Sequence, residues 1–167
     1  MLRKVSFAEA VTTIRAFRDG RGADFIVVVG PFGSGKTQLF REALGSLSGV
    51  MSLSLEVGKL ATKRLPPAKK LEELDTLNRA EFGRKLLTEL LDNSPTVAYL
   101  DNVEIFYDTL PLEFVSTIYR LRHSKSGART LLTMPGYVEA GKLVFIDKPL
   151  LNVNSVRGMV LELARGG

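Results

Sequence analysis

Eight consecutive residues carry the clearest chemical signal in this chain. Residues 30–37 read Gly-Pro-Phe-Gly-Ser-Gly-Lys-Thr and fill the pattern GxxxxGK[ST], between an apolar run at 25–29 and a helix-like stretch at 38–47. Glycines allow backbone torsions that side chains forbid, so amide N–H groups can turn inward around a polyphosphate at a helix N-terminus. In such a loop Lys36 reaches the β- and γ-phosphates, and the Thr37 hydroxyl takes one position on Mg²⁺.

The pattern therefore predicts a phosphate-binding loop. The alternative is a glycine-rich turn that joins a strand to a helix and binds nothing. The residues expected to contact the nucleotide are Gly30, Pro31, Phe32, Gly33, Ser34, Gly35, Lys36, Thr37 and Gln38.

A carboxylate follows a second apolar run. Residues 97–101 read Val-Ala-Tyr-Leu-Asp, the pattern of a Walker B element. A nucleotide hydrolase needs a carboxylate at the tip of a buried strand, where it can hold Mg²⁺ through water beside the loop. Asp101 meets that requirement, with Thr37 as the second metal ligand. The alternative is that Asp101 only begins a turn or caps a helix.

Activation of water asks for a further polar group that orients the attacking oxygen. Glu104 is the candidate, and its alternative is a surface or interface position. Most related ATPases place Glu directly after the Walker B Asp, where this chain has Asn102. We therefore expect slow hydrolysis.

Residues 129–133 predict another core strand. In additional-strand ATPases this strand lies between the Walker A and Walker B strands and offers a polar residue toward the γ-phosphate. Thr130 and Thr133 are candidates, and Thr133 is preferred because ligands gather at the carboxyl ends of strands in open α/β sheets. Threonine as a simple strand former is the alternative. The DxxG and NKxD segments of GTPases are not found, which favours ATP over GTP.

Length and composition restrict the class of protein. A chain of 167 residues with 45% hydrophobic and 25% charged residues fits one globular domain. It contains no cysteine, which excludes disulfides and thiolate chemistry, and the single histidine, His123, argues against a histidine metal site. Its apolar stretches are too short to cross a bilayer, and residues 1–5 lack the apolar part of a secretory signal. We expect a cytoplasmic protein without a membrane partner.

Positive charge is in mild excess, with a net charge of +5. Lys and Arg occur in small groups with little aromatic interleaving, so DNA contact, a protein interface and a solvated face all stay open. Arg120, Arg122 and Arg129 are candidates for an arginine finger in a neighbouring subunit's site, with surface charge as the alternative. We expect His123 to lie at a helix end and neutralise the helix dipole.

Apolar periodicity predicts the elements that position these motifs. Ser6 and Glu9 form a capping box that opens a helix ending near Arg18. Residues 51–57 alternate and predict a half-covered strand, whereas residues 25–29 do not alternate and predict a central one. The other predicted elements are a helix ending at Gly45 or Gly49, a loop at 58–70 with a short helical turn at its start as an alternative, a helix or helix pair from Leu71 to Leu91, a helix after Pro111 that includes Leu112, and strands at 96–101, 142–146 and 158–163.

Three segments together resemble the BrxF family of small P-loop proteins from BREX bacteriophage-defence systems. They are residues 30–37, the Leu-Ser-Leu-Glu-Val segment at 53–57, and the Leu-Asp-Asn-Val-Glu-Ile-Phe-Tyr-Asp segment at 100–108. Walker features alone are common to many ATPases. The resemblance therefore depends on the rarer Asp-Asn-Val-Glu run and on the compact size.

This resemblance implies an α/β protein with a three-layer P-loop NTPase fold, a mostly parallel central sheet and the additional-strand, AAA+-like order. It implies one such domain over residues 1–167, with a helix and turn at 1–22 and the nucleotide-binding core at 23–167. Too few residues follow Ile146 for the usual helical lid, so the lid is missing or a partner covers that side. The residues implied to carry the ATP chemistry are Lys36, Thr37, Asp101, Glu104 and Thr133.

Three functions stay open at this point. The first is an ATP-binding and ATP-hydrolysing protein, using Mg²⁺, whose nucleotide state controls assembly with itself or with larger proteins of a bacterial defence complex. The second is a nucleotide-gated binding module with negligible hydrolysis, acting on a partner or on DNA. The third is a small-molecule kinase, for which the basic segment at 59–70 is the single support.

Overall fold

A computed structural model describes residues 1–64, 76–107 and 113–164 of the chain as alternating strands and helices. In chain order the elements are β1 (Leu2–Val5), α1 (Phe7–Arg18), β2 (Phe25–Gly30), α2 (Lys36–Leu44), β3 (Val50–Ser52), α3 (Leu53–Arg64), α4 (Thr76–Asp92), β4 (Val97–Asp101), α5 (Phe114–Arg122), β5 (Arg129–Pro135), β6 (Tyr137–Glu139), β7 (Lys142–Phe145), β8 (Lys148–Asn152) and β9 (Met159–Leu163). Short 3₁₀ turns at Val103–Phe106 and Val153–Ser155 follow β4 and β8.

Six strands form a central sheet in the order β1-β9-β2-β5-β4-β3. All of its neighbouring pairs are parallel. Every residue of β2 is buried, as its non-alternating apolar run predicted. β5 lies between β2 and β4, the position predicted for it. The carboxyl ends of these three strands consequently share one edge of the sheet.

Helices cover both faces of this sheet. Ile26 and Val28 of β2 belong to the apolar cluster under α1 and α2. Phe25, Val27 and Val29 belong to the cluster under α4 and α5. Because successive strand residues point to opposite faces, the two clusters lie on opposite sides of β2. The α/β class is thus confirmed, and the layering is compatible with the predicted three-layer fold.

The N-terminal helix begins and ends where the sequence predicted. Ser6 Oγ accepts from the backbone N–H of Glu9 at 3.2 Å, and Glu9 Oε2 accepts from that of Ser6 at 2.8 Å. A strand that the sequence analysis missed precedes it. β1 pairs in parallel with β9, so residues 1–22 contain an edge strand besides the predicted helix and turn.

The predicted strand at 51–57 is wrong. Only Val50–Ser52 pairs with β4, and α3 begins at Leu53. Leu53 and Val57 are one helical turn apart and pack against the same core cluster, while Leu55 is 66% exposed. The apolar spacing is therefore satisfied by a helix, because positions i and i+4 share a helix face.

The other predicted elements differ mainly at their ends. α2 ends at Gly45, which has the left-handed φ of 83° that glycine accommodates at this position. Residues 58–64 continue α3, so the helical turn that was the alternative at the start of the predicted loop is present and is longer than expected. The strands predicted at 96–101, 129–133, 142–146 and 158–163 are confirmed as β4, β5, β7 and β9. The predictions at 65–70, Leu71, Leu74, Pro111 and Leu112 lie outside the described residues.

A small antiparallel sheet follows β5, in the order β6-β7-β8. We call it the meander, residues 137–152. Gly136 makes the corner that leads into it, with a φ of 141°, and a Cβ there would lie 2.7 Å from the Val144 carbonyl oxygen. Ile146 and Asp147 form the β7–β8 turn with φ values of 49° and 58°. The sequence predicted only the middle strand of this sheet.

Candidate functional site

The glycine-rich loop, residues 30–37, connects β2 to α2 at the carboxyl edge of the sheet. Gly33 and Gly35 have φ values of 77° and 89°, a region that favours glycine. A Cβ on Gly30 would lie 2.5 Å from Ser34 Oγ, so a side chain there would require the Ser34 side chain to move. Among the residues that the structure describes, no side chain caps the start of α2. Its first N–H groups therefore lack a capping side chain, and a helix start of this kind favours an anion.

Lys36 is the half-buried cation of this loop. Its Nζ donates to the carbonyl oxygens of Gly30 at 2.6 Å and Pro31 at 2.8 Å. Burial lowers the pKa of Lys36, and the carboxylates of Asp101 and Glu104 act in the opposite direction. The two predicted carboxylates therefore favour the charged form of Lys36.

Asp101 stands at the end of β4 and is held from two sides. Its Oδ1 accepts from Thr133 Oγ1 at 2.7 Å and from the backbone N–H of Asn102 at 2.9 Å. Thr133 is 1% exposed. Thr130, the other candidate, lies at the opposite end of β5, where its Oγ1 accepts from Arg122 Nε at 3.0 Å. Of the two threonines, Thr133 is the one that the structure brings to Asp101.

Three polar side chains link β3 to the segment after β4. Ser52 Oγ donates to Asn102 Oδ1 at 2.6 Å, and Asn102 Nδ2 donates to Glu104 Oε1 at 3.4 Å. Asn102 has a left-handed φ of 58°, which Asn tolerates better than most residues. Ser52 was missed, because the sequence placed it inside a longer strand instead of at a strand end.

The remaining predicted ligands are less constrained. Thr37 and Gln38 lie exposed in the first turn of α2. Within the described ranges no hydrogen bond joins Thr37 to Asp101, and no group of three or more His, Asp or Glu side chains is arranged to hold a metal ion. A protein cage is not required for Mg²⁺, since it is commonly held by one or two carboxylates together with phosphates and water.

Aromatic side chains connect the loop to the meander. Phe32 is 67% exposed, and its ring centre lies 5.6 Å from that of Phe145 on β7. The Phe145 ring is 5.1 Å from Tyr107, whose hydroxyl donates to the Pro135 carbonyl oxygen at 2.8 Å. Burial and, secondarily, Glu104 raise the pKa of Tyr107 far above its usual range, so that this hydroxyl keeps its proton. The meander therefore contacts both the loop and the segment that follows Asp101.

The arginine-finger candidates lie toward the amino edge of the sheet, opposite the loop. Arg122 is 5% exposed, so a surface or finger role is wrong for it. Its guanidinium donates to Thr130 Oγ1, Ser94 Oγ and the carbonyl oxygens of Pro95, Thr96 and Arg129. Arg129 donates to the carbonyl oxygens of Arg21 and Ala23. Arg120 is exposed.

His123 ends α5, as predicted, and its ring packs against aromatic neighbours. The ring stacks on Tyr119, with centroids 4.6 Å apart and planes 7° from parallel. Burial lowers the pKa of His123, Asp24 opposes this and Arg122 adds to it. Burial therefore works against the charged form that would interact most strongly with the helix dipole.

Neither a protein-family model nor a curated protein matches this chain. In the part of the chain that the structure describes, no helix combines the length and apolar character that a membrane crossing needs. Function is therefore inferred from the geometry at the carboxyl edge.

Proposed function

We propose that the glycine-rich loop binds the phosphates of ATP and that the protein hydrolyses ATP slowly. One observation carries this proposal. The half-buried Lys36 lies on a loop whose glycine torsions and close Gly30–Ser34 approach suit a phosphate cradle, and while burial lowers its pKa, the carboxylates of Asp101 and Glu104 oppose that shift. A cation at the loop together with two nearby carboxylates is what a triphosphate and its metal require.

Asp101 and Thr37 would hold Mg²⁺. Both hydrogen bonds that Asp101 accepts go to Oδ1, so among the described residues Oδ2 has no donor and can face a cation or its water. When bound, Mg²⁺ neutralises charge on the phosphates. Thr133 has a positioning role, because it fixes the rotamer of Asp101.

Glu104 would accept the proton of the attacking water. Its Oε1 is 3.4 Å from Asn102 Nδ2, an amide held in turn by Ser52. This contact orients the carboxylate, and a general base must lie within hydrogen-bond reach of the proton that it accepts. Asn102 itself cannot accept a proton, which supports slow turnover.

The strand order supports an AAA+-like, additional-strand assignment, because the strand that carries Thr133 lies between the loop strand and the strand that carries Asp101. The resemblance to BrxF proteins supplies the biological setting. In this proposal the chain acts in a BREX defence complex, and its nucleotide state controls assembly with itself or with larger partners.

A nucleotide-gated binding module is the second candidate. The contact between exposed Phe32 and Phe145 favours it, since a change in the loop on nucleotide binding reaches the meander directly. Such a module needs binding energy only, whereas the enzyme also needs Glu104.

Release of phosphate from ATP distinguishes the two. We expect Mg²⁺-dependent release by the wild type and a loss of about a hundredfold in Glu104→Gln, a usual size for a general base. Lys36→Ala should lose both binding and turnover, and Lys125→Ala, at the opposite edge, should match the wild type. A wild type no faster than Lys36→Ala would refute hydrolysis and leave the binding module.

A further inference from the structure

A small pocket of about 210 Å³ opens at the amino edge of the central sheet, opposite the glycine-rich loop. It lies between α5 and the segment that joins β8 to β9, which we call the connector, residues 153–158. The residues lining it include Phe25, Val115, Ser116, Tyr119, Ser155 and Arg157. Pockets for drug-sized ligands measure about 300–1,000 Å³, so a ligand of this pocket is smaller than that class.

The walls of the pocket are apolar and reach the core. Phe25, the first residue of β2, is fully buried, and Val115 and Val156 are also buried. The Tyr119 ring is fixed in place, because it stacks on His123 and meets the Phe25 ring edge to face, with centroids 5.1 Å apart. Core side chains normally interdigitate and leave few voids larger than a water molecule. An opening that reaches Phe25 is therefore a feature of this fold and not a shallow surface dent.

The connector that closes the pocket is held by its own hydrogen bonds. Ser155 Oγ donates to the Asn152 carbonyl oxygen at 2.6 Å, and Asn152 Oδ1 accepts from the Asn154 N–H at 3.0 Å. At its end, Gly158 packs so closely that a Cβ there would collide with the Phe25 carbonyl oxygen. A ligand would therefore enter a wall that is already ordered, which lowers the entropic cost of binding.

A single positive charge lies at the rim of the pocket. Arg157 is exposed, and its Cζ lies 5.8 Å from the centre of the Tyr119 ring. Among the described residues, no carboxylate pairs with this guanidinium. The rim hydroxyls of Ser116 and Ser155 already donate to backbone carbonyl oxygens. Arg157 is therefore the group that remains to bind a ligand's charge, and its planar fork of donors matches a carboxylate.

We propose that this pocket binds a small aryl acid, with its ring beside Tyr119 and Phe25 and its carboxylate on Arg157. Ring-to-ring contacts favour an aromatic body, because edge-to-face and offset arrangements add to the energy of burial. The same two groups occur in a free acid and at the end of a peptide that terminates in phenylalanine. The site is independent of the proposed ATP chemistry, since it lies at the other edge of the sheet.

Proton–nitrogen NMR titration tests the pocket with 3-phenylpropionate and with its uncharged amide, 3-phenylpropanamide. We expect saturable shifts of the backbone signals of residues 115–119 and 153–158, and about tenfold tighter binding of the acid than of the amide. Arg157→Gln should reduce the affinity for the acid to that for the amide. Arg41→Gln, the same substitution at an exposed position on α2, should leave both affinities unchanged.

Two further arms define the site and its ligand. Ser116→Met narrows the pocket from α5 and should weaken the acid and the amide alike. Acetyl-Gly-Phe bound more tightly than 3-phenylpropionate supports a peptide terminus as the ligand, and the reverse order supports a free acid. Absence of shifts in the wild type, equal affinities for acid and amide, or unchanged binding of the acid by Arg157→Gln would overturn the proposal.

Discussion

The hydroxyl of Thr133 donates to Oδ1 of Asp101 at 2.7 Å and ties the end of β5 to the end of β4. Because Thr133 is buried and β5 is central, this contact gives the carboxylate a fixed direction. The same strand carries Thr130 near its other end, bonded to Arg122. The two buried threonines of β5 thus have different partners: Thr133 contacts the candidate site, and Thr130 contacts the buried Arg122.

Replacing each threonine with valine tests this separation. Thr133→Val frees Asp101, and we expect phosphate release to fall about tenfold or more, as misplaced catalytic groups do, with a smaller change in ATP affinity. Thr130→Val leaves the buried Arg122 Nε without its acceptor and should cost roughly 1–3 kcal/mol of unfolding free energy. Turnover per folded molecule should not change in Thr130→Val. A larger loss of turnover in Thr130→Val than in Thr133→Val would contradict the assignment.

Arg122 should be a main determinant of stability and not of nucleotide chemistry. Its guanidinium satisfies five oxygens around the ends of α4 and α5 and the starts of β4 and β5. Arg122→Ala leaves several of them unpaired in a buried place, so we expect a loss of about 3 kcal/mol or more in urea unfolding. The exposed neighbour Arg120→Ala is the control, expected within about 0.5 kcal/mol of the wild type. Equal effects of the two variants would exclude this role.

His123 should make stability depend on pH in mildly acidic solution. Its native pKa lies below the ordinary value of 6.5 because of burial. As pH falls through 6.5 toward the native pKa, the unfolded chain takes up a proton that the native protein does not, so the free energy of unfolding decreases. The stabilisation that comes from the uncharged His123 is fully present above pH 6.5.

The variant His123→Phe keeps a ring against Tyr119 and Phe25 but cannot titrate. We expect urea midpoints of the wild type to fall between about pH 7 and pH 5.5, and those of His123→Phe to fall less. Asp19, whose pKa is lowered chiefly by Arg18, stabilises the native protein above its ordinary 3.8 and loses this contribution only as pH falls below that value, outside this window. Parallel pH curves for the two proteins would show that His123 is not the source.

Much of the framework followed from local patterns, and the errors have physical causes. The run at 25–29 is apolar at every position, which fits a strand buried on both faces, and the Ser6–Glu9 box marks a helix start by specific hydrogen bonds. The strand at 51–57 was predicted wrongly because the spacing of Leu53 and Val57 fits one face of a strand and also one face of a helix. The edge strand β1 has too few residues to establish a period. Only its pairing with β9, far along the chain, defines it.

Site residues could be predicted from the sequence only where they belong to a recognisable motif or strand end. Lys36 and Asp101 were predicted from their patterns, and Thr133 from the strand end on which it lies. Ser52 could not be predicted, because its contact with Asn102 depends on β3 ending beside the end of β4. The buried network of Arg122 and the pocket beside Tyr119 likewise depend on segments that are distant in sequence.

Calorimetric titration with ATP tests the central claim most directly, namely that the glycine-rich loop binds a triphosphate whose metal is shared with Asp101. We predict heat of binding for the wild type with Mg²⁺, weaker binding without Mg²⁺, and about tenfold or greater loss in Lys36→Ala. Asp101→Asn should bind ATP with little dependence on Mg²⁺. Absence of heat in the wild type, or full Mg²⁺ dependence in Asp101→Asn, would contradict the claim.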